Sequence, residues 1–180
     1  MKRSLFALAV AALLPVSAQA ADLSYRFVEL DYVNLDGNAN GAGLRGSVAF
    51  GESYLYGFGS YSKAKLKSSD LKVDTIDVGL GFHHELTSNS EYIVEAAFRR
   101  NKSDLLRDHG YRVSGGVRAL LTDEFEGLAK IGYADSKNGG GGAIGTLGGH
   151  YRFSETWGLT AEVEFADGGQ SYLVGVRASF

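Results

Sequence analysis

The sequence predicts an all-β fold: a transmembrane, antiparallel, up-and-down β-barrel of about ten strands, with eight strands as the alternative. Apolar and polar residues alternate through most of the chain, which is the period of a β-strand. Clusters rich in Gly, Asn, Asp and Ser separate the alternating segments and predict turns. After residue 20 no apolar run approaches the roughly 18 residues that a membrane-spanning helix needs, so a chain that enters a membrane would do so as strands.

The first twenty residues have the three parts of a secretory signal peptide. Lys2 and Arg3 give a basic start, residues 5–16 are apolar, and Ala18-Gln19-Ala20 is a small-residue cleavage site. We therefore predict a signal peptide at 1–20 and a single barrel domain at 21–180, exported to the bacterial outer membrane.

Composition excludes several other classes of protein. The 180 residues carry a net charge of -3, which argues against a nucleic-acid partner. The chain has no cysteine, so it forms no disulfides and has no thiol chemistry. It has 25 glycines and 1 proline, which suits a sheet protein with tight turns. No cofactor, catalytic residue or metal ligand is predicted.

Ten segments alternate, and each is justified by its apolar positions. In chain order these are Val28, Leu30 and Tyr32; Ala42, Leu44, Val48 and Phe50; Tyr54, Tyr56 and Phe58; Ile76, Val78, Leu80 and Phe82; Tyr92, Val94, Ala96 and Phe98; Tyr111, Val113, Val117 and Ala119; Gly127, Ala129, Ile131 and Tyr133; Leu147, Tyr151 and Phe153; Trp157, Leu159, Ala161, Val163 and Phe165; and Tyr172, Val174, Val176, Ala178 and Phe180.

The connections alternate in predicted length. Mostly longer polar loops are expected at 36–41, 63–72, 101–109, 135–142 and 166–170, and mostly short turns at 51–53, 85–90, 121–124 and 154–156. Transmembrane barrels have long outer loops and short periplasmic turns, and an even strand number places both termini in the periplasm.

The polar face carries seven acidic and seven basic residues. On a soluble barrel this face would be the solvated exterior, whereas in a membrane barrel it would line the lumen, where balanced charges pair. Aromatic residues at both ends of the apolar face favour the membrane barrel, because aromatic girdles flank a lipid-facing belt. The predicted lumen charge network is Glu29, Asp31, Arg45, Asp77, Glu95, Arg99, Arg112, Arg118, Glu126, Lys130, Arg152, Glu162, Glu164 and Arg177.

The final strand ends on an aromatic residue. Tyr172, Val174, Val176 and Phe180 resemble the C-terminal signal by which Gram-negative outer-membrane barrels are recognised for assembly. The resemblance implies that the barrel-assembly machinery and periplasmic chaperones are partners.

Several motifs resemble one known family. The leader MKRSL, the segments GLGFHHEL (79–86), DEFEGLA (123–129) and ETWGLTAEVEF (155–165), and the terminal Phe are similar to the Ax family of small outer-membrane proteins from xanthomonads. More broadly, the chain resembles the opacity and OmpX-like small barrels. The Ax resemblance implies an outer-membrane barrel associated with quorum sensing and with elicitation of plant immunity.

Three functions follow from these patterns. The first is a monomeric, non-enzymatic envelope protein with a narrow or occluded pore. The second is surface recognition, meaning adhesion, host contact or quorum-sensing-linked signalling. The third is a hydrolase at the barrel rim, with Asp104, Asp108, His109, Asp135 and Asp167 as its candidate residues. The polar composition of the loops explains the presence of these five residues equally well. Besides outer-membrane lipid, a lipopolysaccharide contact is predicted at Lys63, Lys65, Lys67 and Lys72, because lysines can bind its phosphates.

Overall fold

Every predicted alternating segment contributes to a strand in the computed structural model, which describes residues 23–104 and 106–180. The signal peptide predicted at 1–20 lies outside these residues. No helix in the described part of the chain is long and apolar enough to cross a membrane. The ten strands are β1 (Phe27–Leu35), β2 (Ala39–Ala49), β3 (Leu55–Leu66), β4 (Lys72–Thr87), β5 (Ser90–Ser103), β6 (Arg107–Leu120), β7 (Phe125–Ser136), β8 (Gly140–Arg152), β9 (Trp157–Ala166) and β10 (Gly169–Ser179).

The sheet closes into a barrel of ten antiparallel strands. Each strand pairs with its neighbours in sequence, and β10 pairs with β1 from Phe27 opposite Ser179 to Leu35 opposite Ser171. The predicted up-and-down topology and the count of ten are confirmed, and the alternative of eight strands is wrong. Because the number is even, β1 begins and β10 ends at the same end of the barrel. We call this the terminal end, and the opposite end the distal end.

The predicted long loops at the distal end are wrong, because paired strand occupies much of them. β3 continues to Leu66 and β4 begins at Lys72, so only 67–71 connects them. Likewise, β5 runs to Ser103 and β6 begins at Arg107. The physical reason is that hydrophobic alternation requires one lipid-facing side, whereas backbone pairing does not. Where a hairpin extends beyond the apolar belt, neither face has to be apolar, although the backbone is still paired.

The apolar residues face outwards and the charged residues face inwards. Ile131 and Leu30 are 78% and 65% exposed, whereas the Glu29 side chain on the inner face is 0% exposed. A soluble barrel has the opposite arrangement. Outward-facing aromatics lie near both ends of this belt: Phe50, Tyr54, Tyr92, Tyr151 and Trp157 near the terminal end, and Tyr32, Tyr61, Phe98, Tyr111, Tyr133 and Tyr172 near the distal end. This is the surface that a lipid bilayer requires.

One strand has the phase opposite to the prediction. Tyr56 and Phe58 were expected on the apolar outer face, but both point into the lumen. The neighbouring strand explains this, because Tyr56 lies directly opposite Gly81 and Phe58 opposite Gly79. A side chain at either glycine would overlap the aromatic ring that covers it. The two glycines therefore make the room that lets the two rings fold inwards.

Candidate functional site

The lumen contains a network of ion pairs. All fourteen residues predicted to form it occupy inward-facing positions, and thirteen of them make ion pairs with one another. Arg152 differs, since it lies at the terminal rim, where its Nη2 donates to the carbonyl oxygen of Asp123 at 2.7 Å. Alternation along each strand brings these residues to one face, and barrel closure brings residues distant in sequence together.

The centre of the network is Glu29. Its carboxylate accepts hydrogen bonds from Arg45, from Arg177 Nε at 2.7 Å, and from the Thr160 hydroxyl at 2.8 Å. Arg45 also donates to Asp31 at 2.9 and 3.1 Å and to Glu162 at 3.1 Å. Four strands thus contribute charged groups to one cluster. Because every charge has an opposite partner, the cost of removing these ions from bulk water is offset.

A second cluster of ion pairs links β9 to the opposite wall of the barrel. Arg99 on β5 donates through Nε and Nη2 to Asp77 on β4, both at 2.7 Å, and lies 3.7 Å from Glu164 on β9. Glu164 also accepts from Arg112 on β6 at 2.5 Å. Connections between β9 and the β4–β6 wall cross the lumen, because these strands are not neighbours in the barrel. The side chains therefore fill the bore rather than coat its wall.

Glu95 and Lys130 form a third cluster. Glu95 also joins this cluster to the aromatic residues inside the barrel. It accepts from Lys130 Nζ at 2.8 Å through one oxygen and from the Tyr56 hydroxyl at 2.8 Å through the other. Tyr56 packs with Ile93 and Tyr25, all nearly inaccessible, in a small hydrophobic core inside the barrel. This core lies towards the terminal end.

The segment before β1 lies inside the terminal end of the barrel. We call residues 23–26 the N-terminal arm. The Tyr25 ring stacks on His83 of β4 at 4.0 Å between centroids, and its hydroxyl donates to Glu91 of β5 at 2.6 Å. Arg118 of β6 lies over the same ring at 4.7 Å and donates from both Nη atoms to the carbonyl oxygen of Ser24 at 3.1 Å.

These contacts are made across the barrel. β1 neighbours only β2 and β10, whereas β6 is five strands away in either direction, on the opposite wall. Arg118 is itself fixed by Glu126 of β7, at 2.5 and 2.9 Å. A buried charge pair of this kind orders the side chains that hold the arm. We call the arm together with these contacts the plug.

The lumen contains a cavity between these side chains. The cavity has a volume of about 260 Å³ and is lined by the ion-pair clusters, by Tyr25 and Tyr56, and by small hydroxyl residues such as Ser60 and Thr75. Pockets for drug-sized ligands have volumes of roughly 300–1,000 Å³. The cavity can hold water beside the paired charges.

The four lysines predicted to contact lipopolysaccharide have different surroundings. Lys63 pairs with Asp74 at 3.3 Å, and Lys65 pairs with the highly exposed Asp70 at 2.6 Å. The Lys67 amide donates to Asn38 in the neighbouring hairpin at 2.8 Å. Lys72 is exposed at the start of β4. Lys65 and Lys72 lie directly opposite one another, and the lipopolysaccharide contact stays a prediction.

The acidic residues considered for a rim hydrolase are spread over separate distal hairpins. His109 faces outwards and stacks on Phe98 with 6.2 Å between centroids. Asp108 lies near the tip of its hairpin, beyond the distal aromatics. Its carboxylate accepts hydrogen bonds from the backbone amides of His109 at 2.9 Å and Asn138 at 3.2 Å. Desolvation acts to raise the pKa of Asp108, but hydrogen bonds from Ser136, His109 and Asn138 outweigh it and hold the pKa below its usual value. This geometry ties two hairpins together.

The residues of the predicted assembly signal lie on the closing strand. Tyr172, Val174 and Val176 of β10 face outwards in the apolar belt. The Phe180 amide donates to the carbonyl oxygen of Arg26 at 2.9 Å, so the C-terminal residue lies against the N-terminal arm.

Solved structures share this architecture. The chain matches the NanC porin with a TM-score of 0.57 and 12% identity, over 86% of this chain and 100% of that one. It matches the KdgM porin with a TM-score of 0.54 and 13% identity, over 86% and 99%. The chain has a porin-like barrel fold. The translocator domain of the autotransporter NalP from Neisseria meningitidis also matches, with a TM-score of 0.51 and 13% identity, over 96% and 93%.

These likenesses show the fold alone. No protein-family model and no curated protein matches the sequence. The resemblance to the Ax family therefore stays a prediction.

Sequence reasoning did not find the plug. Ser24 and Tyr25 precede the first alternating strand, so no periodicity marks them. His83 and Glu91 belong to predicted strands, but alternation could not predict that Tyr25 is their partner across the lumen. The one signal was Tyr25 itself, an aromatic residue just before the first strand.

Proposed function

We propose that the protein is a non-enzymatic outer-membrane β-barrel whose lumen is occluded at rest, serving the cell envelope as a structural protein or a narrow pore. The observation that carries the proposal is the combination of the plug with the ion pairs that cross the lumen. Glu29, Arg118 and Tyr25 are each less than 10% exposed although they lie inside a barrel.

The outward-facing belt supports the membrane location. Burying large apolar side chains in lipid is favourable by about 25 cal/mol per Å² removed from water, and exposing them in the periplasm would favour aggregation. Closure of β1 on β10 leaves no strand edge unpaired in the hydrocarbon. By this proposal the terminal end lies in the periplasm, and the distal hairpins lie outside the cell.

Two measurements test this proposal. Membrane-extracted protein should migrate faster on SDS gels before boiling than after, and should fractionate with the outer membrane; recovery in the periplasm without a heat-dependent shift would contradict the membrane barrel. Liposomes containing the refolded protein should swell no faster in isotonic arabinose than protein-free liposomes. Rapid swelling would contradict the occluded lumen.

Surface recognition is the second candidate function. The hairpins β3–β4 and β5–β6 favour it, because their strands continue past the distal aromatics and present exposed charged residues. Replacing segments 63–72 and 101–109 should abolish adhesion to host cells while leaving the heat-dependent gel shift intact. Unchanged adhesion would contradict this function without affecting the barrel. The Ax resemblance would add quorum-sensing-linked signalling to the same surface.

A further inference from the structure

Five cations form one surface across four neighbouring strands at the distal end. We call Lys65, Lys72, Arg100, Lys102 and Arg107 the distal cationic cluster; all five are exposed. Lys65 of β3 lies directly opposite Lys72 of β4, and Lys102 of β5 lies directly opposite Arg107 of β6. Side chains at directly opposed positions have Cβ atoms about 4.5–5.5 Å apart, where like charges repel.

Of these five cations, only Lys65 has an acidic partner in the described residues, Asp70 at 2.6 Å. Within the described residues, the side chains of Lys72, Arg100, Lys102 and Arg107 make no ion pair. Asp74 lies directly opposite Lys102, but its carboxylate pairs with Lys63 and accepts the Tyr61 hydroxyl. Asp104 accepts the Lys72 backbone amide at 3.3 Å. Both members of the Lys102–Arg107 pair, together with Lys72 and Arg100, therefore make no ion pair, which indicates an anion bound from outside.

The position of the cluster indicates where that anion comes from. Arg100 and Lys102 continue the outward face of β5 directly beyond Phe98, and Arg107 precedes Tyr111 on the same face of β6. Phe98 and Tyr111 are each 53% exposed and belong to the distal aromatics. Such aromatics mark the boundary between hydrocarbon and headgroups. The cluster therefore lies at the level of the lipid headgroups and faces them.

The charge is confined to one side of the barrel. The distal hairpins β1–β2, β7–β8 and β9–β10 carry Asp36, Asp135 and Asp167 against Lys137. A ring of cations around the whole barrel would indicate a general preference for anionic lipid. A one-sided cluster instead indicates a discrete site.

We propose that the distal cationic cluster binds the phosphate groups of a phosphorylated glycolipid of the outer leaflet, the lipid A part of lipopolysaccharide. The guanidinium groups of Arg100 and Arg107 supply bidentate donors for phosphate, and the lysines supply additional charge. The bound phosphates neutralise Lys72, Arg100, Lys102 and Arg107. This inference rests on the proposed function, because it requires the distal end to lie in the outer leaflet.

The test uses purified, refolded protein in detergent micelles, titrated with bisphosphorylated lipid A and followed by native mass spectrometry. The variant Lys72→Gln/Lys102→Gln removes one cation from each facing pair. The control Arg26→Gln/Lys137→Gln removes the same charge outside the cluster. At about 1 kcal/mol for each basic residue near an anionic surface, the first variant should bind at least about tenfold more weakly. The control should bind within about twofold of wild type.

Three results would overturn the inference: equal binding of dephosphorylated lipid A, equal loss in both variants, or displacement of the lipid by millimolar inorganic phosphate, which would indicate a free-phosphate site. Both variants should keep the heat-dependent gel shift, which controls for folding. Because binding is measured on purified protein, its failure is separable from failure of the proposed function, which fractionation of cells decides.

Discussion

Replacing Glu29 by Gln should destabilise the barrel strongly, because it removes the charge at the centre of the lumen network. The substitution keeps the size of the side chain and leaves two arginines without their shared carboxylate. Arg45 retains Asp31 and Glu162. Arg177 retains only a distant carboxylate, Glu126 at 4.0 Å, and its stacking on Phe27 at 4.0 Å.

The magnitude follows from the burial of the pair. The Glu29 and Arg177 side chains are 0% and 12% exposed, and breaking a buried pair by removing one partner costs about 3–5 kcal/mol. Since one of the two arginines keeps good partners, the expected loss in the free energy of unfolding is about 3 kcal/mol. The matched control is Asp74→Asn, which breaks the exposed pair with Lys63 and should cost less than about 1 kcal/mol.

The assay is urea unfolding in phospholipid vesicles, followed by the fluorescence of Trp157, the chain's one tryptophan. The double variant Glu29→Gln/Arg177→Met removes the orphaned cation and should recover at least half of the loss. If Glu29→Gln is no more destabilising than Asp74→Asn, the lumen charges are solvated rather than mutually dependent, and the reasoning about the network is wrong.

Two further predictions concern packing and assembly. Gly81→Ala should lower the free energy of unfolding by about 2 kcal/mol, because its Cβ would overlap the Tyr56 ring. The control Gly46→Ala, whose Cβ would meet its nearest neighbour at 3.5 Å, should have little effect in the same urea assay. Equal effects of the two substitutions would contradict the inward placement of Tyr56. Deletion of Phe180 should reduce the heat-modifiable fraction in the outer membrane more than replacement of the 67–71 connection, and normal insertion would contradict its role as an assembly signal.

Much of the fold could be predicted because the lipid-facing belt imposes alternation. Val78 and Leu80, or Val174 and Val176, have to face outwards, and the period of two then places Asp77 and Arg177 inside. The alternation alone could not decide which face was the exterior. The exposed Ile131 and the inaccessible Glu29 decide it.

Three parts could not be predicted, each for a different reason. In β3 the run from Leu55 to Gly59 is apolar or glycine on both faces, so its phase depends on Gly79 and Gly81 of the next strand. Beyond the belt, residues such as Lys102 lie in paired strands that have no apolar face, so alternation does not mark them. The N-terminal arm has no period at all, because it crosses the lumen as a single segment.

The central claim is that the barrel is closed by its own N-terminal arm and lumen charges, and single-channel recording in planar bilayers tests it most directly. Wild-type protein should show no long-lived open level, because Tyr25 and Arg118 close the terminal end. Tyr25→Ala removes the side chain that contacts four strands and should produce resolvable openings, while the outward-facing control Tyr32→Ala should remain closed. A large, stable conductance from the wild-type protein would contradict the account.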